Sequence, residues 1–353
     1  MILETTTARK KTYNHFIGID VSKNTLDYAV RKGDKLLFHE QGKNEPEKIL
    51  DFITRLKGLE GFVLTKCLFC FEHTGFYTNH LLNFLKKIKA NVAMVPGLQV
   101  KNSLGMMRGK DDKADAKRLA VYAQKNSAEL KLWMAKRPVV LELMNLVALR
   151  RRLLNVSVVL STPLKEQTRF VKNGLQKQSV QLCRRTNAAI KDDLTAIDLV
   201  IDSLINADEN LKKLNQLITS VPSVGPVTAI HVIISTNEFK DINNPKKFAC
   251  YAGVAPFKVG SGLIEGKARI SHLANKNIKA LLHVCALNAI RCDQDLKAYF
   301  ERKTKSEGKP KRVVINAIRC KLILRIFACV NQNRTYAKER KSQYEITAGE
   351  PAN

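Results

Sequence analysis

Four acidic residues carry the chemistry this sequence could do: Asp20 in "GIDVSK", Glu72 in "FCFEHTG", and Asp112 and Asp115 in "GKDDKADAKRLA". Carboxylates gathered at one point repel unless cations bridge them. Hard oxygen ligands select Mg²⁺ or Mn²⁺, with water and substrate phosphate completing the shell. Two such ions about 4 Å apart would clamp the attacking and leaving oxygens of a phosphodiester displacement. Any one of these acids taken alone reads as an ordinary cap or salt-bridge partner; it is their joint placement that suggests a metal site. Asp112 and Asp115 lie three apart near the start of a helix and so share a face.

The elements that must position them follow from the hydrophobic pattern. "HFIGIDVSK" is a short apolar run ended by Asp20, and "TLDYAVRKGDKLLFHEQG" reads as two strands around a Gly-Asp turn. "EPEKILDFITRLKGL" has helical spacing at Ile49, Ile53 and Leu56, with Pro46 near its start. "KCLFCFEHTG" is a buried strand ending at Glu72; "FYTNHLLNFLKKIKA" is an amphipathic helix, "NVAMVPG" a short strand and "KADAKRLAVYAQK" a helix. Three strands, helix, strand, helix, strand, helix predicts an α/β domain with a mixed sheet. If the first strand lies beside the fourth, their ends bring Asp20 and Glu72 together.

After Pro138 the composition shifts. From about 139 to 218 there is one proline, Pro163, and one glycine, Gly174. Ile190, Leu194, Ile197, Ile201, Leu204, Leu211 and Ile218 follow steps of four and three, a heptad stripe broken at Asp208 and Asn215. The stripe predicts a helical, coiled-coil region that packs within one hairpin or against another subunit. At "SVPSVGPVTA" Gly and Pro return and open a mainly helical region around a Gly-rich loop, "GVAPFKVGSGLIEGKARIS". The expected division is 1–136 for the metal-binding α/β domain, 137–215 for the helical region, 216–335 for the C-terminal domain and 336–353 for a frayed polar tail.

Charge narrows the partner. The chain has 60 Lys plus Arg against 32 Asp plus Glu, a formal net charge of +28. That field favours a polyphosphate. "RRRLL" (Arg150, Arg151, Arg152) and "KTKSEGKPKRVV" at 303–314 are basic clusters suited to phosphate contacts. No apolar stretch approaches the roughly 18–20 residues of a spanning helix, and "MILETTTARKKTYNHF" has no apolar signal core. A cytoplasmic, nucleoid-associated protein without membrane contact is expected. Cys67 and Cys70 have zinc-ligand spacing, but no second pair answers them and their segment reads as a buried strand.

The ordered set "GIDVSK", "FEHTGFY", "KDDKADAKRLA", then "VPSVGPVTA", "FACYAGVAPFKVGSG" and "ARISHLANKNIKALL" resembles the DEDD transposases of bacterial insertion sequences over nearly the whole chain. The resemblance implies a ribonuclease H/RuvC-like N-terminal domain and a DNA transposase that cleaves and rejoins strands, guided by a structured (bridge) RNA. It also implies a dimer that assembles further to a tetramer, with active sites that can be shared between subunits. In that family the C-terminal domain supplies a nucleophilic serine after an "xP" turn; the matching position is Ser261, five residues after Pro256. A hydroxyl between Gly260 and Gly262 leaves room for a phosphate, and Lys258, Lys267 and Arg269 could neutralise charge on the phosphorus. Ser223, Ser271 and Tyr251 are competitors, Tyr251 being expected to pack in a core. "VPSVGPVTA" resembles a helix-hairpin-helix turn with backbone N–H groups beside Gly225 on a phosphate; it equally reads as a structural turn.

One departure matters. The family has a small or hydroxyl residue before the first aspartate of the paired motif, and this chain has Asp111. Either Asp111 or Asp112 could be the ligand; spacing favours Asp112, with Asp111 beginning the helix as its cap. The alternative to a transposase is a metal-dependent, structure-selective nuclease of the junction-resolvase kind, working without a covalent intermediate.

Overall fold

A computed structural model describes residues 12–103, 112–170, 175–261, 264–271 and 273–337. Its elements, in chain order, are β1 (His15–Val21), β2 (Thr25–Lys32), β3 (Lys35–Lys43), α1 (Pro46–Lys57), β4 (Cys67–Glu72), α2 (Asn79–Lys87), β5 (Asn91–Val95), α3 (Gly97–Ser103), α4 (Asp112–Asn126), α5 (Pro138–Phe170), α6 (Leu175–Ala207), α7 (Glu209–Thr219), α8 (Pro226–Thr236), α9 (Pro245–Tyr251), β6 (Phe257–Ser261), β7 (Ile264–Arg269), α10 (Lys276–Cys292), α11 (Gln294–Glu301) and α12 (Lys311–Asn331). They form two compact units divided between Ala135 and Lys136.

The first unit is the mixed sheet, in the order β3-β2-β1-β4-β5. β1 runs antiparallel to β2 and parallel to β4. β1 and β4 are buried on both faces, which is why they read as continuous apolar runs rather than alternating ones. Ile17, Ile19, Phe69 and Phe71 pack with Ile49, Phe52, Ile53 and Leu56 of α1 and Leu81 and Leu85 of α2. Phe16, Leu68 and Cys70 point the other way, onto Leu119, Tyr122 and Ala123 of α4. Cys67 and Cys70 therefore lie in opposite cores and cannot share an ion. Burial pushes the Cys70 thiol up to about 12 and the Cys67 thiol well above its ordinary value.

Gly18 fixes how closely α4 lies on the sheet. A Cβ there would stand 2.1 Å from the Ala116 carbonyl oxygen and 2.3 Å from the Ala120 amide nitrogen. Its φ lies outside the left-handed region, so the glycine serves close approach rather than an unusual backbone angle.

The second unit has one core. Val140 and Leu143 of α5, Ile197, Ile201 and Ile205 of α6, and Leu211, Leu214 and Ile218 of α7 join buried residues of α8, α9, α10 and α12. Members of the heptad stripe thus pack inside this chain. Asp208, which interrupts the stripe, is the N-cap of α7, its side chain accepting from the Leu211 amide at 2.9 Å. The same carboxylate receives both Nη1 and Nη2 of Arg137, at 2.6 and 2.9 Å. Arg137 also donates to Glu238, whose side chain is wholly buried and additionally accepts from Asn210 and Lys240.

Two stretches of backbone depart from expectation. The segment expected as a Gly-rich loop contains a two-stranded antiparallel ribbon, with Phe257 opposite Arg269 and Ser261 opposite Ile264. Ile264, Gly266 and Ala268 alternate with Glu265, Lys267 and Arg269, a period of two that the glycine count masks. The polar tail does not begin at 336: the Tyr336 amide donates to Ser220 Oγ at 2.8 Å and its ring lies under Arg325. Residues 338–353 are outside those described. Among the described residues no helix is long and apolar enough to cross a membrane.

Candidate active site

Strand alternation puts Phe16, Gly18 and Asp20 on one face of β1, and Leu68, Cys70 and Glu72 on the same face of β4. In the parallel ladder Ile19 pairs with Phe71, so Asp20 and Glu72 are the next residues along two neighbouring strands. α4 lies across that face, anchored at Gly18, and its first turn carries Asp112 and Asp115. The carboxylates act on one another. Burial, then the charges of Asp112, Asp115, Glu72 and Asp27, push Asp20 up to about 6. Burial, then Asp115, raises Glu72.

This donor set fits a hard divalent cation: four side-chain carboxylates from three elements, with one of them driven towards its protonated form by burial and by the others. The fit lies in the chemistry of the donors. Among the described residues no three His, Cys, Asp or Glu side chains stand close enough to hold an ion as they are. Like charges repel, and Asp115 turns to Arg118 Nη1 at 2.5 Å. Asp111 lies outside the described residues.

Two groups at this site were not anticipated. Asp27 on β2 is paired with Asp20, is buried, and accepts from His39 Nε2 and Gln41 Nε2, each at 2.9 Å. It is a fifth carboxylate with its oxygens already engaged, so it contributes charge rather than a free ligand. The signal was available: Asp20 and Asp27 are equidistant from the β1–β2 turn in "DVSKNTLD". Gly97 is the second. A Cβ there would fall 2.3 Å from Glu72 Oε2 and 2.4 Å from Oε1.

In the second unit Ser261 ends β6, paired with Ile264. The ribbon is tied at its base. Gly253, at φ +64, sits where a Cβ would come 2.5 Å from Ala274 Cβ. The Asn275 amide donates to the Tyr251 carbonyl at 2.8 Å, and Asn275 Nδ2 reaches Tyr251 Oη at 2.9 Å. Tyr251 is exposed and hydrogen-bonded, not packed in a core as expected: it ends α9, where the ring can reach the loop before α10. Lys258, Lys267 and Arg269 have their backbones on the ribbon; their side chains, and Gly262, are outside those described. Of the competing serines, Ser223 has a buried hydroxyl with no partner among the described residues, and Ser271 Oγ accepts from the Leu273 amide.

Gly225 is the exposed N-cap of α8, with Pro226 following, in a short turn after α7. Arg150 is held bidentately by Asp198, at 2.6 and 3.1 Å, while Arg151 and Arg152 are exposed. The 303–314 cluster is organised around Glu307, which pairs with Arg302, Lys303 and Lys309.

Two family profiles match this chain. A DEDD transposase profile of the IS110 type, described as "Transposase", covers residues 17–168, and "Transposase IS116/IS110/IS902 family" covers residues 215–301. The chain belongs to the IS110 family of transposases. The activity that goes with this family is that of a DNA-acting transposase or recombinase. This IS110-family transposase is 27% identical over 344 residues to the "Pilin gene-inverting protein" of Moraxella bovis, spanning 93% of this chain and 98% of that one. The protein of the same name from Moraxella lacunata is also 27% identical, with the same coverage of 93% and 98%. An insertion element IS110 protein of Streptomyces coelicolor is 22% identical over 160 residues, 45% of this chain and 38% of that one. Among solved structures, Thermus thermophilus RuvC in complex with a Holliday junction substrate aligns at 18% identity and a TM-score of 0.27, covering 34% of this chain and 100% of RuvC.

Proposed function

We propose that this transposase cuts and rejoins DNA strands with Ser261 as nucleophile, assisted by Mg²⁺ (or Mn²⁺) held by Asp20, Glu72, Asp112 and Asp115. The observation that supports the metal half most directly is Asp20, whose proton affinity is raised by burial and by the three other carboxylates. Residues from β1, β4 and α4 that are far apart in sequence act on one group, which isolated caps would not do. A bound divalent cation supplies charge neutralisation for the phosphate and for the oxygens entering and leaving it.

The serine half rests on the position of Ser261 at the end of a ribbon whose neighbours include Lys258, Lys267 and Arg269. The Ser261 Oγ bonds to phosphorus as a sugar oxygen leaves with the electron pair of the broken bond and takes up a proton. A hydroxyl from the second strand later displaces the serine. The basic side chains neutralise the pentacoordinate phosphorus. Gly225, Arg151 and Arg152, with Arg150 if its ion pair opens, hold nucleic-acid backbone. A guide RNA pairing with donor and target DNA, and a dimer assembling to a tetramer, complete the reading.

The test is to incubate the protein with element-end DNA, guide RNA and Mg²⁺, denature, and look for a covalent protein–DNA adduct. An adduct lost in Ser261→Ala and depleted in Asp20→Ala is expected. An adduct that survives Ser261→Ala removes the serine assignment, and cleavage without any adduct favours a metal-only nuclease.

A further inference from the structure

We infer that Gly97 is a positioning residue for the Glu72 carboxylate, and that the missing side chain at 97 is what lets Glu72 serve the cation site. The inference rests on the metal reading proposed above.

Glu72 and Val95 are paired at the ends of the parallel strands β4 and β5. Beyond Val95 the chain passes through Pro96 and enters α3 at Gly97. A Cβ built on Gly97 would stand 2.3 Å from Glu72 Oε2, 2.4 Å from Oε1 and 2.6 Å from Cδ. All three nearest atoms belong to one carboxyl group. The space a methyl would fill is the space the carboxylate fills.

The backbone does not ask for glycine at this position. The φ of Gly97 lies outside the left-handed region, so an L-residue can adopt it. The first turn of α3 hangs on the Pro96 carbonyl, which accepts from the Gln99 and Val100 amides at 2.9 and 3.3 Å, and a side chain at 97 touches neither bond. Alanine would favour the helix. What remains to explain glycine is the carboxylate.

Gly18 shows the contrasting case. There the atoms met by a Cβ belong to the backbone of α4, which cannot move without the helix. At Gly97 they are the far end of a flexible side chain. A methyl at 97 thus leaves the fold in place and swings Glu72 away from Asp20 and Asp115. Glu72 meets the start of α3 directly, through its carboxyl group.

The test uses the full-length protein and Mn²⁺ as probe, with free ion followed by electron paramagnetic resonance and unfolding followed by circular dichroism. The variants are Gly97→Ala, Glu72→Ala, Glu72→Asp and both Gly97→Ala doubles. Gly97→Ala is expected to weaken Mn²⁺ binding by roughly 10- to 100-fold with little change in the unfolding midpoint. It should add nothing to Glu72→Ala. Glu72→Asp, shorter by one methylene, should cost less in the Gly97→Ala background than in the native one. Native-like Mn²⁺ binding by Gly97→Ala, where Glu72→Ala has lost it, overturns the inference and leaves the metal reading standing. So does a further loss when Gly97→Ala is added to Glu72→Ala. If Gly97→Ala fails to fold and Glu72→Ala does not relieve it, the clash lies elsewhere and the inference falls. Native-like binding by Glu72→Ala itself would instead remove the metal reading.

Discussion

The Cα of Gly18 lies so close to Ala116 that a methyl group on it would stand 2.1 Å from the Ala116 carbonyl oxygen. One glycine in the middle of β1 therefore decides whether α4 can reach the sheet, and with it whether Asp112 and Asp115 can approach Asp20. Because both partners are backbone, no rotamer change relieves the contact. Gly18→Ala is expected to lower stability by about 3 kcal/mol or more, at or beyond the upper end of ordinary overpacking. Urea unfolding checks it, and a native midpoint would mean that α4 is not seated on β1.

Asp20 should show the cost of assembling carboxylates. Its proton affinity is higher in the folded chain, about 6 against an ordinary 3.8, so the folded state binds more protons between those values. Stability is fully present below about 3.8 and is lost as pH rises through about 6. Asp20→Asn removes that loss. In a chelator at pH 7.5 the variant should melt higher than the native protein by roughly 2–4 °C, and the difference should vanish near pH 3.5. Thermal melts at the two pH values decide.

His15 acts in the opposite direction. It is fully buried, its two ring nitrogens find no partner among the described residues, and it packs against Phe62. Burial, then Lys32, lowers its pKa below 6.5. The unfolded chain takes up a proton as pH falls through 6.5 while the folded one resists, so stability present above 6.5 is lost below it. His15→Phe should flatten this loss between pH 7.5 and 5.5, read as the change in urea midpoint across that range.

Arg137 holds Asp208 and the wholly buried Glu238 together. Arg137→Ala leaves Glu238 with only Lys240 and Asn210. A loss of about 2–3 kcal/mol is expected, below the 3–5 of a fully orphaned buried charge. Arg137→Lys should recover little, since an ammonium cannot fork across two carboxylates. Denaturant midpoints of the two variants test both statements.

Much of the first unit was legible because its signals are local. Apolar runs ending at Asp20 and Glu72 name β1 and β4, and period 3.6 names α1, α2 and α4. The pairing of Asp20 with Glu72 was legible only on the condition that β1 lies beside β4, which the parallel ladder supplies. What was not legible depends on what is absent from a side chain. Gly18 and Gly97 matter through atoms they lack, and the neighbours that give those gaps meaning are 98 or 102 residues and 25 residues away in sequence. Asp27 could have been read from hairpin symmetry. In the second unit the ribbon around Ser261 was hidden because glycine weighs towards loops even where alternation is present.

Asp208 has a consequence for the shape the chain takes. It stops α6 and starts α7, and the apolar stripe continues across the stop. Were a helix-forming residue to fuse the two, they would make one rod of about 45 residues, near 67 Å long. Leu211 and Ile218, now in the interior, would be carried out along that rod and left seeking another surface. A single capped turn thus folds back on itself a seam that would otherwise face outward as adhesive.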